Sequence, residues 1–405
     1  MARTVGTGPD AAERSGALDA AELLETAIGR AGGRDFTDRS FVAPLRRLIA
    51  SCNEEGDLNA FGQRAARFEI LRSLNNLLQL DRREQAEPSL LSRPIERPIF
   101  ITGMPRSGTT FLHRLLSRDP RVAAPLSWQL VYPYPSPAGR AGTALRKAWV
   151  QGQFYLMRRL APELDALHHV APDEPEECTD ITAQVFQSLR YDSVYRVPSY
   201  QGWLQRYGHL EAYRFHRRFL QHLDAQRPGR RWILKSPDHV FALEDIARVY
   251  PDARWVFIHR DPVAVLASVA KLTEVLRRPF THRVDLGEIG RQVFDAWLDG
   301  AERMLRIAAH SEDILHLRYR EILAAPEEAA QRVLRHGGIE ASETAMRRMR
   351  KWLGNRANRT HRPQVYHMER FGLDPRTLRE RFAPYTDAFG VELEWHADRA
   401  VRAGA

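Results

Sequence analysis

The chain is poor in the features that would announce several common protein classes. It has only two cysteines, Cys52 and Cys178, far apart in its 405 residues. That excludes a disulfide framework and any paired-cysteine metal or redox motif, and it makes two small buried side chains in a reducing compartment the expectation. No apolar run reaches the roughly 18 residues that a membrane-spanning helix needs. Residues 1–16, MARTVGTGPDAAERSG, hold no apolar leader, so a loose N-terminal tail and a cytoplasmic location are expected. Internal repeats and long low-complexity stretches are missing. Lysine is scarce too: of the 60 basic residues only four are lysines. No basic stripe interleaved with aromatics marks a nucleic-acid face, and no evident cluster of metal-ligating residues stands out, so neither nucleic acid nor metal is expected as a partner.

What is present argues for a globular protein. Hydrophobic residues make up 43% and charged residues 27% of the chain, enough to build a sizeable core. The formal charge is +9, from 60 basic and 51 acidic residues. An excess made mostly of arginine favours fork-like contacts with anions. Charge alone does not choose between nucleic acid, anionic lipid and a polyanionic small ligand.

Periodicity divides the chain. From Leu18 to Leu80 the pattern is helical, with Phe61, Ala65, Phe68, Leu71, Leu74 and Leu78 at spacings of three and four. Residues 17–93 are therefore expected as an N-terminal helical cap, joined through Pro88, Pro94 and Pro98 to a main domain over 94–390. A largely helical insert over about 140–225 is broken by Pro162, Pro172, Pro175 and Pro198, and residues 391–405 form a C-terminal tail. Strands are predicted at Ile99–Thr102, Arg231–Leu234, Arg254–Ile258 and Ile314–Arg318, and helices at Val240–Val249, Pro262–Leu272 and Glu327–Arg335. Strands alternating with helices imply an α/β fold with a parallel central sheet flanked by helices. Ligands of such sheets bind at the carboxyl ends of the strands.

Two motifs follow predicted strands. Gly103–Thr110 reads GMPRSGTT, a phosphate loop in which Thr109 stands where the lysine of G-x-x-x-x-G-K-[ST] belongs. Arg106 supplies a cation from inside the loop, and the backbone still makes an anion cradle at a helix N-terminus. The usual equipment for Mg·ATP is gone, which points to a nucleotide whose transferred group is not a γ-phosphoryl. The second motif is Arg260-Asp261-Pro262 with Ser268 two turns along the following helix. An arginine at the strand exit and a helical serine can converge on one phosphate. Alone, they also read as an arginine satisfying local carbonyls and a serine bonding backward.

Together these motifs resemble the sulfotransferase family that uses 3′-phosphoadenosine 5′-phosphosulfate, most of all the bacterial branch with a PRSGTT loop. The resemblance runs from Pro98 to about Pro384. It implies a P-loop-like fold. It implies a 5′-phosphosulfate site at Arg106, Ser107, Gly108, Thr109 and Thr110, and a 3′-phosphate site at Arg260 and Ser268. In Ile233–Pro237 (ILKSP), Lys235 takes the place of the lysine near the transferring group. The segment from His316, HLRYREILAAPEEAA, is also similar to the family. A late basic loop over the 3′-phosphate would be Asn355–Arg362, with Arg356, Arg359 and Arg362; that run also reads as a solvated face. A tryptophan, Trp128, Trp203 or another, would stack on the adenine. No metal is implied.

The general base is the open position. Pro237 stands where cytosolic relatives have a histidine, and Leu126, Ser127 and Gln129 occupy the stretch where the tyrosylprotein enzymes have a glutamate. The remaining candidates are His168, the acidic run Asp173–Glu177, and His239. We read His168 as the base, with Glu176 orienting or replacing it. The acids also fit a plain dipole role in a first helical turn, and the histidines a surface or capping role. The resemblance implies in-line sulfonate transfer to a hydroxyl or amine of a small-molecule, lipid or glycan acceptor, and it leaves a homo-oligomer open. A P-loop kinase or nucleotidase is disfavoured by Thr109. A non-catalytic binder of nucleotide, nucleic acid or anionic lipid on the same fold stays as the reading from another class.

Overall fold

The structure is a computed structural model that describes residues 17–167, 170–311, 313–355 and 367–394. Five strands, β1 (Ile99–Gly103), β2 (Val122–Ala123), β3 (Arg231–Lys235), β4 (Arg254–His259) and β5 (Ile314–Arg318), form one sheet in the order β2-β3-β1-β4-β5. Every pairing is parallel. All five residues of β1 are buried, as expected of a parallel strand covered on both faces. The alternation of side chains along the strands feeds two cores. Ile99, Ile101, Ile233, Val256 and Ile258 pack on one face, while Phe100, Leu234 and Trp232 join the cluster on the other.

Among the helices are α1 (Ala20–Arg30), α2 (Val42–Glu55), α3 (Ala60–Ala86), α4 (Thr109–Leu116), α5 (Gly139–Leu160), α6 (Leu210–Gln226), α7 (Leu243–Val249), α8 (Pro262–Arg277), α9 (Leu286–Ala308), α10 (Pro326–His336), α11 (Glu343–Gly354) and α12 (Pro375–Phe389). Helices α4, α10 and α11 supply Leu112, Leu334 and Met349 to the first face. Helices α1 to α3 share one continuous apolar cluster with Phe100 and α6, so they build on the sheet's own core. Two helix starts are capped by side chains suited to the task. Asp261 Oδ1 accepts from the Val263 N–H at 2.9 Å ahead of Pro262, and Asn59 accepts from the Gly62 N–H at 2.8 Å.

Some boundaries differ from the sequence reading. The helix expected over Val240–Val249 is a short 3₁₀ turn, Pro237–Phe241, followed by α7. Ser236 caps that turn by accepting from the Asp238 N–H. The first helical region is three helices rather than one run. Strand β2 was not foreseen, since two residues carry no periodicity. Both cysteines are buried, and burial pushes the Cys52 thiol up to about 12. Among the described residues no helix is long and apolar enough to cross a membrane.

Candidate active site

Three neighbouring strands deliver the predicted residues to one end of the sheet. In the order β3-β1-β4, Lys235 pairs with Ile101 across β3 and β1, and Gly103 pairs with Ile258 across β1 and β4. The loop leaving β1 needs its glycines. Gly103 has φ +122, and a Cβ there would lie 2.2 Å from the Ile258 carbonyl oxygen. Gly108 has φ +84 and is the N-cap of α4. With Arg106 also left-handed at φ 59, successive N–H groups can turn inward toward an anion. The first N–H groups of α4 have no intrahelical partner by construction, and the helix dipole adds positive potential at the same place.

Lys235 closes the far side of this cradle. Its side chain is fully buried. Nζ donates to Thr110 Oγ1 at 3.2 Å and to Glu177 Oε1 at 2.5 Å. The lysine missing from the loop is thus replaced by one from β3 that meets the second threonine of the loop. Its charge is felt beneath the cradle: burial, then Lys235, pushes the His113 imidazole down to about 3, leaving a neutral ring hydrogen-bonded to the Ile233 carbonyl at 3.1 Å.

The second motif is assembled as well. Arg106 Nε donates to Ser268 Oγ at 3.0 Å, so the loop arginine and the helical serine are in direct contact. Arg260 donates to the Arg106 carbonyl, and its guanidinium lies 3.9 Å from the centre of the Tyr319 ring. Tyr319 also bounds the loop, since a Cβ on Gly108 would come within 3.2 Å of it. The remaining face of Arg260 is covered from the C-terminal segment. Nε and Nη2 donate to Glu394 at 2.9 and 2.8 Å, and the Glu394 N–H donates to Asp261 Oδ2 at 2.7 Å. A planar anion therefore already sits on Arg260 in the bidentate geometry that suits a phosphate. Neither Arg260 nor Ser268 opens onto the large cavity described next.

That cavity, of about 1840 Å³, is lined by Arg106, Gly108, Thr109 and Thr110 at one end. Drug-sized ligands occupy pockets of about 300–1,000 Å³, so there is room for more than one ligand of that size. Glu176, Glu177, Asp180 and Asp238 also line it. Burial raises the Asp238 carboxyl to about 7 and the Asp180 carboxyl to about 6; the Glu177 charge adds to the first, and Arg190 opposes the second.

The base candidates separate. Glu176 is nearly buried and accepts from the Glu177 N–H at 3.0 Å; it is Glu177 that reaches Lys235. His239 is a core residue: it is fully buried, hydrogen-bonded to the Tyr213 hydroxyl at 2.6 Å, edge-on to Phe100, and held far below its usual pKa by burial. His168, Arg356, Arg359 and Arg362 lie outside the described residues. Neither Trp128 nor Trp203 lines the cavity, whereas Trp352 does, packed on Phe111 of α4. Sequence reasoning held Glu177 only as one member of the acidic run Asp173–Glu177, and it missed Tyr319 and Glu394. Tyr319 sat inside the family-like stretch from His316; Glu394 carried no distinguishing signal. Among the described residues no group of three or more His, Cys, Asp or Glu side chains could hold a metal ion.

Comparison with known proteins agrees with this fold. No curated protein sequence is significantly similar to the chain. Among solved structures, the sulfotransferase STF1 from Mycobacterium tuberculosis is 29% identical with a TM-score of 0.80, covering 92% of this chain and 100% of its own. The sulfotransferase STF9 from Mycobacterium avium is 28% identical, also at 0.80, covering 93% and 98%. The profile of the Sulfotransferase family matches residues 98–343, more than half of the chain. The chain belongs to the sulfotransferase family.

Proposed function

We propose that this transferase takes sulfonate from 3′-phosphoadenosine 5′-phosphosulfate and passes it to a hydroxyl of an acceptor with an apolar body. The observation that carries this reading is Lys235, buried between Thr110 Oγ1 and the Glu177 carboxylate at the mouth of a phosphate loop without its own lysine. Arg106, Ser107, Gly108, Thr109 and Thr110 would hold the 5′-phosphosulfate, and Arg260 with Ser268 the 3′-phosphate. The bidentate Glu394 carboxylate on Arg260 supports the second assignment as a stand-in anion.

Sulfonate transfer resembles phosphoryl transfer in depending on position and electrostatics. The sulfonate moves between two oxygens in line: the bond to the bridging phosphate oxygen breaks as the bond to the acceptor oxygen forms. Lys235 would stabilise the negative charge left on the bridging oxygen. Loop N–H groups and threonine hydroxyls would stabilise charge on the peripheral oxygens. As Lys235 turns to the leaving oxygen, the Glu177 carboxylate is released to take the acceptor's proton. The apolar walls, among them Phe61, Phe68, Trp149 and Met157, support an apolar acceptor.

The test is calorimetric titration with adenosine 3′,5′-bisphosphate and with AMP. The bisphosphate is expected to bind at least about tenfold more tightly, each charge-assisted contact being worth roughly 1.5–3 kcal/mol, and Arg260→Ala should erase the difference. Equal affinity for the two nucleotides in the wild-type protein would end this reading.

A further inference from the structure

Helix α5 is unlike the other long helices. Over its 22 residues it buries only Val150. It carries Arg140, Arg146, Lys147, Arg158 and Arg159 and no acidic residue. Its exposed side includes Leu145 (73% exposed), Trp149 (57%), Leu156 (49%) and Leu160 (40%). At 3.6 residues per turn these four fall within a stripe about 60° wide. Tyr155, 59% exposed, flanks it. A stripe of this kind is normally turned toward a core; here it faces outward.

The stripe continues onto the cavity. Trp149 and Leu156 line it, and so do Phe61 and Phe68 of α3, themselves 38% and 50% exposed. The mouth of the cavity is therefore rimmed by large apolar side chains from two helices. On the same wheel Arg146 and Arg159 fall about 40° to either side of the stripe, over the rings of Tyr132 and Tyr155 at 5.1 and 5.7 Å. Lys147 and Arg158 lie on the opposite side of the helix, paired with Asp173 at 2.5 Å and with Asp165 at 3.4 Å.

We propose that this face docks on an anionic lipid bilayer, with α5 lying in the interface and the cavity mouth set at the lipid boundary, so that an apolar acceptor passes from the bilayer to the site. The acceptor part rests on the sulfotransferase reading; the docking does not. The chemistry fits an interfacial helix: Trp and Leu on one stripe, Arg146 and Arg159 flanking it, and no acid on the helix itself. Tryptophan and tyrosine favour the level of the lipid headgroups. Pairing of α5 with a second copy about a two-fold axis would set the same cationic helix against itself, which argues against a dimer as the occupant.

Flotation with vesicles tests this on the full chain. Vesicles of phosphatidylcholine with a minority of phosphatidylglycerol are expected to carry the protein, and pure phosphatidylcholine far less of it. The double variant Leu145→Gln/Leu160→Gln, whose positions lie outside the cavity lining, should lose at least about tenfold in partition, since burying each leucine is worth about 1.5–3 kcal/mol. Its affinity for adenosine 3′,5′-bisphosphate should be unchanged, which shows that it has folded. Wild-type protein that fails to float, or a variant that floats equally well, overturns the proposal. So does a wild-type dimer that the variant converts to monomer, because the occupant is then a second copy. Wild-type protein that binds the bisphosphate selectively and does not float rejects the docking alone; wild-type protein that floats without bisphosphate selectivity rejects the sulfotransferase site alone.

Discussion

Glu394→Gln should tighten binding of adenosine 3′,5′-bisphosphate. If Arg260 takes the 3′-phosphate, the ligand must first displace the Glu394 carboxylate, which accepts from Nε and Nη2 at 2.9 and 2.8 Å. The two side chains are 14% and 21% exposed. An ion pair in full solvent is worth about 0.2–1 kcal/mol, and a hydrogen bond to a charged group about 1.5–3 kcal/mol. A bidentate, partly covered pair falls between, at about 1–2 kcal/mol. That corresponds to a closed state favoured roughly 5–30-fold, and apparent affinity falls by the same factor when most molecules are closed. The amide of glutamine keeps the size and removes the charge. Calorimetry should then find the bisphosphate bound about 5–30-fold more tightly by the variant, with AMP unchanged because it lacks the 3′-phosphate. The variant's advantage should shrink in high salt as the variant and wild-type curves converge. An unchanged or weakened bisphosphate affinity in Glu394→Gln would refute the reasoning, as would an equal gain for AMP.

Further outcomes follow from the same geometry. Glu177→Gln should lower turnover by about 10²–10⁴ if this carboxylate takes the acceptor proton, and single-turnover rates with bound donor will show whether it does. The same change leaves the buried Lys235 charge beside only Thr110, at a cost of about 3 kcal/mol; Lys235→Met/Glu177→Gln should recover most of it in urea melts, and a double variant no more stable than the single one would contradict the pairing. Asp238, whose carboxyl is raised to about 7 by burial and the Glu177 charge, disfavours the folded state once ionised, so its contribution to stability is full below about pH 4 and is lost as pH rises through about 7. The stability difference between Asp238→Asn and wild type should therefore move in the variant's favour across that window, and parallel pH profiles would rule this out. Gly108→Ala places a Cβ at φ +84 and 3.2 Å from Tyr319, which should cost about 1–2 kcal/mol in stability and weaken the bisphosphate; a variant with wild-type values in both would show that the loop does not need the left-handed turn.

The fold was legible where the chain is buried on both sides. Segments such as Ile99–Thr102 and Arg254–Ile258 are short apolar runs bounded by proline, glycine or a cap, and each became a strand within one residue of its expected ends. The parallel arrangement followed from their alternation with helices. What stayed hidden depends on contacts between distant segments. The apolar series at Phe61, Ala65, Phe68, Leu71, Leu74 and Leu78 reads as one buried stripe, yet Leu71, Leu74 and Leu78 enter the core while Phe61 and Phe68 rim the cavity. Periodicity gives the face of a helix, and it does not tell a core from a ligand wall.

The phosphate motifs were readable because each is local. A strand, a tight turn and a helix start must occur in sequence, and Gly103, Gly108 and Asp261-Pro262 are the residues those turns demand. The base was not readable, for a reason of parity. Pro175 forms an isolated bridge with Leu126, and Glu176 and Glu177 continue from it outside any helix. In extended chain, adjacent side chains point to opposite sides. With carboxylates at 173, 174, 176 and 177, every phase of the run presents an acid to each side, so composition cannot say which one meets the lysine. That phase is set by two backbone contacts from other parts of the chain, the Glu176 N–H to the Pro125 carbonyl at 3.0 Å and the Cys178 N–H to the Lys235 carbonyl at 2.9 Å. The second contact ties the acidic run to β3 at the lysine itself, which is why a shift of one residue exchanges Glu176 for Glu177. A variant that inserts a single alanine between Pro175 and Glu176 should accordingly bring Glu176 to the lysine in place of Glu177. Because the side chain in that place is again a glutamate, turnover is expected to survive where Glu177→Gln loses it, and an equal loss would mean that the two backbone contacts, not the carboxylate they present, are what turnover needs.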